Sequence, residues 1–152
     1  MPLFGSAPEI GEKAPSFSLP DQNGNIRNIK EFFGNKLVVY FFPKADTPGW
    51  TKQACGFRDE SEKFKNLNIK IIGISYDSPK SLAAFKKKYN IPFDFLSDKQ
   101  KKVGSKYGVN RFFFTSRKTF LIDENGLLVH IVHSVNLNTH SDDIISLFKT
   151  KT

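Results

Sequence analysis

The chain carries one thiol, Cys55, and that limits the nucleophilic chemistry open to it. A single cysteine closes no internal disulfide, and an ordinary thiol is only a few per cent ionised near neutral pH, so something nearby has to lower its pKa before it reacts. Five residues upstream stands Trp50, whose indole offers one N–H donor and no acceptor and does not ionise usefully. Along a helix, five residues correspond to about 500° of rotation, roughly 140° net, and about 7.5 Å of rise. Trp50 and Cys55 are therefore expected on different sides of the element that carries them. The three histidines do not converge: His130 and His133 sit three apart on a predicted strand and point to opposite faces, and His140 falls in a predicted loop. No metal site and no cofactor is expected.

The residues around Trp50 are those of a strand leading into a helix start. Thr47-Pro48-Gly49 places residue 50 in the first helical turn, where unpaired backbone N–H groups and the helix dipole favour a negative charge. The stretch FFPKADTPGWTKQACGFRDE, residues 41 to 60, closely resembles the active-site segment of the peroxiredoxins, in particular the bacterioferritin-comigratory or Q-type branch. That pattern is Pro-x-x-x-Thr-x-x-Cys with a second Cys five residues on. Pro43 and Thr47 match it, Cys55 matches the second cysteine, and Trp50 occupies the place of the first. The resemblance continues through GISYDSPKSLAAFKKKYNIPFDFLSD at 73 to 98, YGV at 107 to 109 and RKTFLID at 117 to 123.

What the resemblance implies is specific. The fold would be thioredoxin-like α/β, a mixed central sheet flanked by helices with an N-terminal β-hairpin, in one domain over residues 1–152. Trp50 would stand where the peroxidatic thiol stands, and Cys55 would be the resolving position. Pro43 would shape the loop, Thr47 would orient peroxide through its hydroxyl, and Arg117 would stabilise the thiolate and the developing negative charge. With Trp50 in place the nucleophile is missing and the space for peroxide is filled. The expected function is then a binding or structural subunit. The alternative is a thioredoxin-dependent peroxidase reducing hydrogen peroxide and organic hydroperoxides, altered at residue 50. Cys55 reads, without a partner thiol, as a small, partly buried apolar residue.

The elements that would hold these residues follow from periodicity and turn residues. Phe17 and Leu19, the turn Asn23-Gly24, and Ile26 and Ile29 predict a hairpin over 15–29, followed by a helical turn at 30–33. LVVYFF at 37–42 predicts a strand buried on both faces. Ala54, Phe57, Phe64 and Leu67 predict one helix over 50–67, and residues 69–75 a second buried strand. Ser78-Pro79 opens a helix through Leu82, Phe85 and Tyr89, and residues 99–107 a shorter one. Strands at 119–123 and 127–133, joined by Glu124-Asn125-Gly126, precede a helix capped by Ser141 with Ile144, Ile145 and Phe148 inward.

Composition bounds the rest. A chain of 152 residues, 39% hydrophobic and 25% charged, supports a self-sufficient core. The opening MPLFGSAPEIGEK reads as no signal peptide, and the longest apolar run is too short to span a bilayer. The expected compartment is cytoplasm or a plastid or organelle matrix. A formal charge of +8 favours an acidic partner surface, although lysines dispersed along helices read first as solvated faces, and nucleic acid is disfavoured. Beyond a thioredoxin-type reductant, the apolar loop Phe112–Phe114 is the candidate contact for a homodimer or protein partner.

Overall fold

The computed structural model describes residues 8–42, 44–111, 114–115, 118–132 and 140–150. A small hairpin, β1 (Ser18–Pro20) and β2 (Ile26–Asn28), is followed by a 3-10 turn (Ile29–Phe32), then β3 (Lys36–Phe41), α1 (Pro48–Asp59), α2 (Ser61–Asn66) and β4 (Ile69–Ser75). The order continues with α3 (Pro79–Lys88), β5 (Asp94–Ser97), α4 (Lys102–Lys106), β6 (Asn110–Arg111), β7 (Phe114–Thr115), β8 (Thr119–Ile122), β9 (Leu128–Val132) and α5 (His140–Thr150). The main sheet has the order β5-β4-β3-β8-β9. β3, β4 and β5 run parallel through helical crossovers, and β8 and β9 are antiparallel, which is the expected mixed sheet with β3 at its centre.

Strand alternation divides the core in two. Val38, Tyr40 and Phe42 face α1, α2, α3 and α5, packing on Ala54, Phe57, Phe64, Leu82, Phe85 and Ile144. Leu37, Val39 and Phe41 face the 3-10 turn and α4 among Phe17, Phe32, Val103 and Tyr107. Every residue from Leu37 to Phe42 is therefore buried, which is why that run shows no polar alternation.

Four features depart from the sequence expectation. The single helix over 50–67 is two helices that break at Glu60 (φ −103°, ψ 14°), where the polar run Asp59-Glu60-Ser61 interrupts the apolar stripe. Phe57 and Phe64 still stack edge to face across the break, 5.6 Å between centroids. The helix expected over 99–107 covers only Lys102–Lys106: Lys101 adopts a left-handed conformation, and the Asp98 carboxylate accepts the N–H of Gly104 (2.8 Å) and of Val103 (3.3 Å). β5 has no counterpart among the expected elements, nor do the paired two-residue strands β6 and β7, which lie where a loop is expected. His140 is the first residue of α5 rather than a loop residue, so Ser141 lies inside the helix instead of capping it.

The hairpin ties the sheet edge down. Asp21 pairs with Leu96 as an isolated antiparallel bridge, and Gln22 both donates to Asp94 and accepts the Phe95 N–H. Arg27 reaches Asp94 (2.6 Å), Glu31 (2.6 Å) and Asp21 (3.1 Å). Burial pushes the Asp94 carboxyl up, but hydrogen bonds from Arg27 and Gln22 and the charge of Lys86 outweigh it and hold Asp94 below the usual carboxylate range.

Candidate functional site

The helix start predicted from Thr47-Pro48-Gly49 forms as expected. Thr47 holds the N-cap conformation (φ −96°, ψ 152°), Pro48 occupies the first helical position, and the Thr51 N–H donates to the Thr47 carbonyl at 2.8 Å. The Thr47 hydroxyl donates to the Lys44 carbonyl (3.3 Å) and does not cap the helix. No acidic side chain stands in the first turn, so the positive end of α1 meets no carboxylate of its own.

Trp50 is the third residue of α1. It is half-buried and leans on Phe42, the last residue of the central strand's apolar run, with ring centroids 6.3 Å apart and planes tilted by 35°. It thereby extends the aromatic cluster of Phe42, Phe85 and Phe95 toward the surface. Part of the indole remains at the surface. Cys55 is free and partly exposed, five residues further along α1, between buried Ala54 and Phe57.

Two aspartates missing from the sequence reading fix the loop before α1. Asp46 adopts a left-handed backbone (φ +62°), a conformation that Asp tolerates better than most residues. Its carboxylate accepts from Lys88 Nζ and from the Tyr89 hydroxyl, each at 2.7 Å. These two hydrogen bonds, Lys88 first, hold the Asp46 carboxyl below its ordinary value. Asp77 accepts the Ala45 N–H (2.7 Å) and the Ser75 hydroxyl (2.9 Å), while its carbonyl accepts from Ser97 (2.6 Å). The carboxyl ends of β3, β4 and β5 are thus stitched together behind the helix start. Little local in the sequence marks these acceptors, because all their donors but Ser75 lie 20 to 43 residues away.

A hollow of about 260 Å³ lies between this loop and α3, lined by Lys44, Asp46, Asp77 and Lys88 among others. A larger one, about 870 Å³, is far from the helix start, between Arg27, Phe32, Phe64, Lys70 and Phe93. Pro43, Arg117, Phe112, Phe113 and His133 fall outside the described residues, as does the side chain of Phe114. Among the described residues no group of three or more His, Cys, Asp or Glu side chains could hold a metal ion. No described helix is long and apolar enough to cross a membrane.

The arrangement combines a first helical turn free of acidic side chains with an aromatic residue, Trp50, within that turn. Comparison with known proteins gives it a context. The family model described as AhpC/TSA matches residues 10–131. A curated protein of Coxiella burnetii named "Putative peroxiredoxin bcp" is 42% identical over 145 residues, covering 90% of this chain and 96% of that protein. "Peroxiredoxin Q, chloroplastic" of Populus jackii is 40% identical over 144 residues, covering 92% of this chain and 68% of that protein. Among solved structures, peroxidoxin BcpB from Mycobacterium tuberculosis superposes with a TM-score of 0.87 at 30% identity, covering 94% of this chain and 97% of that one.

Proposed function

Because the chain belongs to the AhpC/TSA family and, within it, to the Bcp or Q-type peroxiredoxins, we propose that it is a non-catalytic member acting as a binding or structural subunit. One observation supports this reading: Trp50 stands in the first turn of α1, seated on Phe42, and we assign that position to the reacting thiol of the family's motif. Peroxide reduction requires a thiolate that attacks one oxygen and expels the other. An indole supplies no such electron pair, and its bulk occupies the ground next to the helix N-terminus where an anion would be held.

Cys55 does not replace the missing group. On α1 it is about 140° and 7.5 Å removed from residue 50, so the positive end of the helix that would lower a thiol's pKa is not beneath it. As contacts for a partner we assign the lysine-rich faces, with an acidic protein surface as the complement. The compartment we assign is reducing, bacterial cytoplasm or an organelle matrix, consistent with one relative being named chloroplastic.

The test is peroxide consumption by the purified protein with hydrogen peroxide and a thioredoxin-type reductant. The expected result is turnover indistinguishable from the reductant alone. Consumption that proceeds through many turnovers and vanishes in Cys55→Ser would overturn the proposal.

A further inference from the structure

The formal charge of +8 is not spread over the chain. Residues 99–122 hold seven of its 23 lysines and arginines and none of its 15 aspartates and glutamates, so this one stretch supplies +7. The other residues, with 16 cations against 15 acids, are close to neutral. Lys99 and Lys101 follow β5, while Lys102 and Lys106 open and close α4, and all four are exposed. α4 packs through Val103 and Tyr107 on the face of the sheet opposite α1, α2 and α3. The acid nearest in sequence, Asp98, is 1% exposed and turned inward onto the N–H groups of Val103 and Gly104. Among the described residues no carboxylate pairs with Lys99, Lys102 or Lys106, whereas Arg27, Arg58, Lys63, Lys86 and Lys88 each meet one.

Like charges gathered without counter-charges repel one another in the free protein and draw in an anionic surface. Lys102 and Lys106 are four residues apart, so they lie on one side of α4, separated by about 6 Å along its axis. Carboxylates at i and i+4 of a facing helix reproduce that spacing. We propose that the face from Lys99 to Lys106 is the docking surface for an acidic helix of a partner protein. The proposal rests on the acidic-partner reading above and narrows it to one surface; it is independent of what Trp50 does. The surface is held in place before any partner arrives, which lowers the ordering cost of binding. Asp98 fixes the start of α4, the Tyr107 hydroxyl donates to the Pro15 carbonyl at 2.6 Å, and Lys106 Nζ donates to the Ser16 carbonyl at 3.2 Å. Single-stranded nucleic acid fits this face less well, because its bases bind by stacking on exposed rings. Tyr107 is buried, and the Tyr76 ring carries Lys101 Nζ 5.1 Å from its centroid.

The experiment measures, by fluorescence anisotropy, binding of the full chain to a labelled alanine-based helical peptide carrying glutamates four residues apart. Oligo-dT of matched charge serves as a second probe. The variant Lys99→Gln, Lys102→Gln, Lys106→Gln is compared with Lys65→Gln, Lys80→Gln, Lys87→Gln, which removes the same charge from exposed positions on α2 and α3, across the sheet. The expected result is peptide affinity about tenfold weaker in the first variant and changed less than about twofold in the second, whose charges lie beyond the screening length of roughly 8 Å. Arginine at 99, 102 and 106 should retain the wild-type affinity, and the unfolding midpoints of all variants should agree, which separates lost charge from lost structure. Equal weakening by the two glutamine variants would overturn this docking surface and leave the acidic-partner reading standing. A wild type that does not bind the peptide would overturn both. Tighter binding of oligo-dT than of the peptide would assign the face to nucleic acid and overturn the proposal.

Discussion

Gly73 sits in the middle of β4, paired with Tyr40 on one side and Phe95 on the other. Both aromatic rings lean over it: a Cβ there would meet Phe95 Cδ1 at 2.7 Å, Phe95 Cε1 at 2.9 Å and Tyr40 Cζ at 3.0 Å. Neither ring has room to step aside. Phe95 is enclosed by Phe42, Phe85 and Phe93 at 5.3–5.7 Å, and Tyr40 by Phe42 and Phe57 at 5.1–5.5 Å. Gly73→Ala therefore overpacks a locked core. Overpacking costs about 1–3 kcal/mol, and immobile neighbours put this site toward the upper end, less roughly 0.5–1 kcal/mol regained from the lower chain entropy of Ala. The net expectation is a loss of about 2 kcal/mol, or a melting temperature lowered by roughly 4–8 °C for a chain of this size. Urea unfolding followed by circular dichroism measures it, with the slope unchanged and only the midpoint moved. The pair Gly73→Ala and Phe95→Leu closes a double-mutant cycle: Phe95→Leu should cost clearly less in the Gly73→Ala background than on its own. A loss under about 0.5 kcal/mol, or strict additivity in the cycle, would show that the rings are not confined and would refute the reasoning.

Trp50→Ala should lower stability by about 1–3 kcal/mol, below the cost of a fully buried Trp because the indole is only half-buried; the urea midpoint reports it, and an unchanged midpoint would mean that the contact with Phe42 contributes nothing. Trp50→Cys should create a thiol with an alkylation pKa below about 8.5 that consumes peroxide and forms a disulfide with Cys55; an ordinary pKa and no consumption would refute a retained site. On acidification, the depressed Asp94 carboxyl contributes stability that is fully present above the ordinary carboxylate pKa of about 3.9 and is lost as pH falls through its lower folded value. Asp94→Asn should remove that acid-side loss. Asp98, raised by burial despite its backbone hydrogen bonds, has the opposite sign: its contribution is full below the ordinary carboxylate value and disappears as pH rises through the raised one, so Asp98→Asn should flatten that rise in stability with acidification.

Much of the scaffold is legible in the sequence because the relevant signals are local. The uninterrupted apolar run at 37–42 marks a strand covered on both sides, and Ser78 does accept the Ser81 N–H (3.2 Å) just before Pro79, as a cap should. The start of α1 is readable from Thr47-Pro48-Gly49 for the same reason. β5 escapes such a reading because four residues, Asp94 to Ser97, are too few to establish a period, and the strand is fixed instead by pairing with β4 and by Gln22 from the hairpin. The break at Glu60 leaves the apolar spacing of Phe57 and Phe64 intact, so a pattern-based reading runs through it. Asp46 and Asp77 are invisible as site-builders because an acceptor's importance depends on donors that only the fold brings near.

The hydrogen bonds that hold Ala45, Asp46 and Asp77 ahead of α1 are made by residues other than Trp50. Asp46 is fixed by Lys88 and Tyr89, Ala45 by Asp77, and Asp77 by Ser75 and Ser97, while Trp50 contributes a ring contact on its own side of the helix. The loop over Ala45 and Asp46 therefore has anchors in α3 and in the segment after β4 that do not include the side chain at position 50. On the proposed reading of Trp50, loss of a reacting group and loss of these anchors are separable events. A chain long released from catalysis would have no chemical reason to keep a left-handed Asp46 pinned at 2.7 Å by two donors, but it would keep it if the loop also served stability, because the same bonds join α3 to the central strand. The two explanations part at Asp46→Gly. Glycine accepts the left-handed backbone without strain and removes only the carboxylate, so a large drop in the unfolding midpoint assigns the tether to stability, and a small one leaves orientation of the helix start as what it serves.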